Sequence, residues 1–97
     1  MPDDKRLEGM RNNPRGDWKI ADVEALCRSH GINYRPPNKG SHAKVSHPSQ
    51  AEILTIPFAR PIKPVYIRRL VKLVDAVLTA RALRAIQDAP IAKDRKT

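Results

Sequence analysis

Residues 39–48, Lys39-Gly40-Ser41-His42-Ala43-Lys44-Val45-Ser46-His47-Pro48, decide how the rest of the chain folds. They lie between the turn signals Asn38-Lys39-Gly40 and Pro48-Ser49-Gln50, and along them side-chain direction alternates with period two, as in a strand with one buried face. The alternation places His42, Lys44 and Ser46 on one face and Ala43, Val45 and His47 on the other. Upstream, Ile32-Asn33-Tyr34-Arg35 alternates in the same way, with Ile32 and Tyr34 inward and Arg35 outward, until Pro36-Pro37 stops it. Downstream, Leu54 and Ile56 supply the inward face of a third segment, and Pro57 is acceptable because the strand ends there. Strands at about 32–35, 41–47 and 52–57, joined by short turns, predict a small antiparallel sheet with one apolar side.

An apolar side has to be covered, and the flanking sequence offers two helices. Ile20, Val23, Leu26 and Cys27 recur at helical spacing over about 18–30. Asp17 reads as the N-cap of that helix and Gly31 as its left-handed terminator. His30 falls in the last turn, where a protonated imidazole favours the negative end of the helix dipole. A second helix is expected from Val65 to about Arg84, with Pro64 in its first turn and a stripe of Ile67, Leu70, Val71, Val74, Val77 and Leu78. At about 1.5 Å per residue it is near 30 Å long, more than three strands about 4.8 Å apart can cover. Leu78, Leu83 and Ile86 therefore face either a partner or the N-terminal part of the chain.

The fold class expected is α+β: a helix, a three-stranded antiparallel sheet and a long helix. Residues 1–16 are expected as a polar N-terminal arm, in which only Leu7 and Met10 could form a docked helical turn. The folded domain takes residues 17–87, and 88–97 are a basic tail.

The 97 residues suit one domain, and their net charge of +9 with a pI near 10.3 calls for an anionic partner. The charge is concentrated. Between Arg35 and Lys72 eight cations face the single acid Glu52, so the segment carrying His42 is the basic one. No apolar run approaches the roughly 20 residues of a spanning helix, and no signal-peptide core is present at the N-terminus. The chain is therefore expected to be cytoplasmic, without membrane association. Cys27 has no partner for a disulfide and reads as a core residue. Cys27, His30, His42 and His47 match no zinc-ligand spacing, and no metal or other cofactor is expected.

Histidine can exchange a proton near neutral pH, and lysine or arginine beside it can hold the charge of a phosphate. His42, following a glycine turn and flanked by cations, thus has the parts for chemistry at a phosphodiester, where the bland alternative is a polar residue on an open sheet face. Lys44, on the same face, is the first candidate for a phosphate contact, followed by Lys39 and Arg35; Ser41 could position the imidazole or the phosphate.

The order of elements resembles a double-stranded-RNA-binding-like domain, and over about residues 17–78 the chain is similar to the HicA family of mRNA-interferase toxins. Gly40-Ser41-His42 resembles that family's signature and His47-Pro48 its following histidine-proline. Thr55-Ile56-Pro57 resembles the end of its third strand and Ile62-Lys63-Pro64 the lead-in to its last helix. The likeness implies a metal-independent RNA endonuclease, the toxin of a type II toxin-antitoxin system, with His42 as catalytic histidine and a HicB-type antitoxin as inhibitor. The alternative is a non-catalytic module that binds structured RNA by shape and phosphate. Major-groove DNA reading by the last helix is disfavoured, because Arg68, Arg69 and Lys72 flank a stripe that must be buried.

Overall fold

The computed structural model describes residues 5–37 and 42–88, which form α1 (Lys5–Asn12), α2 (Ile20–His30), β1 (Asn33–Arg35), β2 (His42–Ser46), β3 (Leu54–Pro57) and α3 (Pro64–Asp88). The strands make one antiparallel sheet in the order β1-β2-β3. Its register runs without a bulge, pairing His42 with Pro57, Ala43 with Ile56, Lys44 with Thr55 and Val45 with Leu54. Period-two alternation therefore holds across the sheet, and Ala43, Val45, Leu54 and Ile56 all enter the core. From α2, Ile20, Val23, Leu26 and Cys27 pack into the same cluster.

The strands are shorter than their sequence pattern. Ile32 is buried as expected but lies outside β1, because its N–H donates to the Cys27 carbonyl at 2.9 Å as part of the turn that ends α2. That turn passes through Gly31 at φ 66°, a left-handed backbone that a side chain would strain. β3 begins at Leu54 rather than 52, since the ladder ends at the Val45–Leu54 pair and leaves Glu52 and Ile53 exposed.

Asp17 is not the N-cap of α2. Trp18 fixes the chain at that point: its indole N–H donates to the Asn13 carbonyl at 2.8 Å, and its own carbonyl accepts from the Ile62 N–H at 2.9 Å. The helix consequently starts after Lys19, whose N–H donates to the Asp22 carboxylate at 3.0 Å, so Asp22 supplies the acid of the first turn. Asp17 lies 3.5 Å from the Arg60 guanidinium instead.

Within the stretch expected as an arm, Lys5–Asn12 form a helix. Leu7 and Met10 of α1 are buried in the core, and Arg11 makes a two-pronged ion pair with Asp75 of α3 at 2.6 and 3.0 Å. Two apolar positions are too few to sustain an eight-residue helix alone, so α1 owes its form to docking on α3.

α3 begins at Pro64, and its buried stripe is that expected, widened by Leu73, with Leu78 half-buried beside it. Beyond that the helix leaves the body. Residues 81–87 are all exposed, Leu83 at 54% and Ile86 at 66%, so neither covers the described N-terminal residues. Arg81 ties the overhang back by donating to the His30 carbonyl at 2.7 Å, a contact that satisfies the end of α2. Among the described residues no helix is long and apolar enough to cross a membrane. The expected tail, apart from Asp88, lies outside the described residues.

Candidate nucleic-acid interface

The face of the sheet turned away from the helices is polar. Arg35, Lys44 and Thr55 stand in one row across the three strands, and His42 stands in the next row of the same face, opposite Pro57. Directly opposed residues of an antiparallel pair are about 5 Å apart, and same-face neighbours along a strand about 7 Å. Arg35, Lys44 and His42 are all exposed. The structure thus brings together three of the five residues expected at the site. Lys39 and Ser41, the other two, lie outside the described residues.

No carboxylate stands on this face among the described residues of the strands, so nothing there competes with a phosphate for Lys44 and Arg35. Three other cations of the basic segment are elsewhere. Arg68, Arg69 and Lys72 are exposed on the solvent side of α3, a helix packed over the opposite face of the sheet. The charge that looks continuous in sequence is therefore not gathered on one surface.

His47 does not join His42. It follows β2 on the helix side, half-buried, beside a groove of about 510 Å³ whose other wall includes Val77 and Ala80 of α3. Its Nδ1 accepts from the Ser49 N–H at 3.0 Å, with the Ser49 hydroxyl 2.8 Å away, which makes the ring part of the turn between β2 and β3. Cys27 is fully buried, and burial, with a smaller contribution from Glu24, pushes its thiol up to about 12. No three His, Cys, Asp or Glu side chains gather as a metal site among the described residues.

Phe58 is the residue that sequence reasoning missed. It follows β3 at the His42 end of the sheet and is 58% exposed. The available signal was the chain's one phenylalanine placed directly after a strand-ending proline. Comparison with protein-family models, with curated proteins and with solved structures gives no match to this chain.

Proposed function

We propose that this protein is an endoribonuclease of the HicA kind, the toxin of a toxin-antitoxin pair, acting on mRNA and held in check by a HicB-type antitoxin. The observation that carries this reading is the grouping of Arg35, Lys44 and His42, all exposed, in adjacent rows of one sheet face whose described residues include no carboxylate. Lys44 and Arg35 hold the phosphate, and His42 takes the proton from the 2′-hydroxyl as its oxygen attacks phosphorus. The P–O5′ bond breaks, leaving a 2′,3′-cyclic phosphate, and the 5′ oxygen is protonated from solvent.

A second reading, an RNA-binding module without chemistry, is favoured by one observation: no hydrogen bond from another described residue orients the His42 imidazole. The two readings part on a single substitution. His42→Ala should keep its fold and RNA affinity while cleavage of an mRNA, measured in the presence of chelator, falls by about 10² to 10⁴. Undiminished cleavage by the folded variant rejects the mechanism, and RNA binding without cleavage by the parent favours the module.

A further inference from the structure

Three strand ends meet at one edge of the sheet. Arg35 closes β1 and is followed by Pro36, Pro57 closes β3 and is followed by Phe58, and His42 opens β2 between them. Pro36 and Phe58 line a groove of about 610 Å³, within the size range of small-ligand sites. Tyr34 and Glu24 also line it, with Lys19 and Arg60 adding positive charge. Tyr34 is half-buried and packs against the core, whereas the Phe58 ring is left largely in water. The groove lies on the α2 side of the sheet, across its end from Arg35 and Lys44, and an exposed aromatic ring is the platform on which unpaired bases stack.

We propose that this groove is a nucleobase subsite: the unpaired base next to the phosphate held by Arg35 and Lys44 turns over the sheet edge and stacks on Phe58. Its polar edge meets the Tyr34 hydroxyl, a donor, and the Glu24 carboxylate, an acceptor that also pairs with Arg28 at 2.7 Å. The inference rests on the RNA reading above and narrows it to single strands, since bases inside a duplex cannot reach the groove.

The test uses the full chain and single-stranded oligonucleotides with 2′-O-methyl ribose, which cannot supply the attacking hydroxyl. Binding is measured at one salt concentration for a base-bearing strand and for an abasic strand of equal length. The parent should prefer the base-bearing strand. Phe58→Ala should weaken that binding by roughly 5- to 100-fold, the range of one base stack, and leave the abasic strand unaffected. Phe58→Trp should retain the preference, and the melting temperature of both variants should match the parent. Equal binding of the two strands by the parent overturns the subsite while leaving the phosphate-binding face intact. Equal weakening of both strands by Phe58→Ala also overturns it, and failure of the parent to bind either strand overturns the subsite together with single-strand binding by the sheet face.

Discussion

The two faces of the sheet are built from alternate residues of the same strands, yet they answer to different demands. Ala43, Val45 and Ile56 are fully buried and Leu54 nearly so, whereas His42, Lys44 and Thr55, one position away, are exposed. A one-residue slip would exchange the faces, so the apolar positions that fix the register also fix which side chains reach solvent. The inner face determines that the sheet exists; the outer face is free to carry chemistry at little cost in stability.

The sharpest way to break this contrast is to substitute one residue from each face. Ile56→Ala should lower stability by about 2–5 kcal/mol, the usual result of emptying a buried isoleucine site. His42→Ala should change stability by no more than about 0.5 kcal/mol, as for an ordinary exposed position. Chemical denaturation of both variants checks this, and a large loss for His42→Ala would show that the outer face is part of the fold.

The alternation was legible in sequence because it depends only on neighbours along the strand. Ala43, Val45, Leu54 and Ile56 were placed correctly for that reason, as was the stripe of α3. What escaped depended on distant partners. Arg11 and Asp75 are 64 positions apart, and without their pairing and the burial of Leu7 and Met10, α1 has the sequence of a polar arm. Asp17 has the chemistry of an N-cap, but the hydrogen bonds of Trp18 decide where the helix starts. The separation of Arg68, Arg69 and Lys72 from Arg35 and Lys44 follows from the side of the sheet on which α3 lies, which charge counting does not address.

The dry side can also be tested through its thiol. Cys27 should resist alkylation at pH 8 in the folded protein and react once denaturant unfolds the chain, because burial keeps the thiol protonated. The linked effect on stability has a definite sign. Below the ordinary value of 9.0 the thiol is protonated in both states and its contribution is fully present; as pH rises from there towards about 12, the unfolded chain loses the proton first and stability falls. Replacement of Cys27 by Ala should remove that part of the alkaline decline, and an unchanged decline would assign it to other groups.

The smallest effect concerns His47, which tests whether the two histidines belong to different faces. Its ring accepts from the Ser49 N–H and lies beside Val77 and Ala80, on the helix side of the sheet. His47→Ala leaves that N–H to solvent and removes part of a half-buried ring, a loss of about 1 kcal/mol. On the proposed function, cleavage should be unaffected, because the continuous pairing from His42–Pro57 to Val45–Leu54 leaves no bulge to bring this imidazole round to the first. Melting and cleavage measured on the same preparation separate the alternatives. A variant that melts like the parent but no longer cuts RNA would place both imidazoles at one site, with the division between the faces failing at the end of β2.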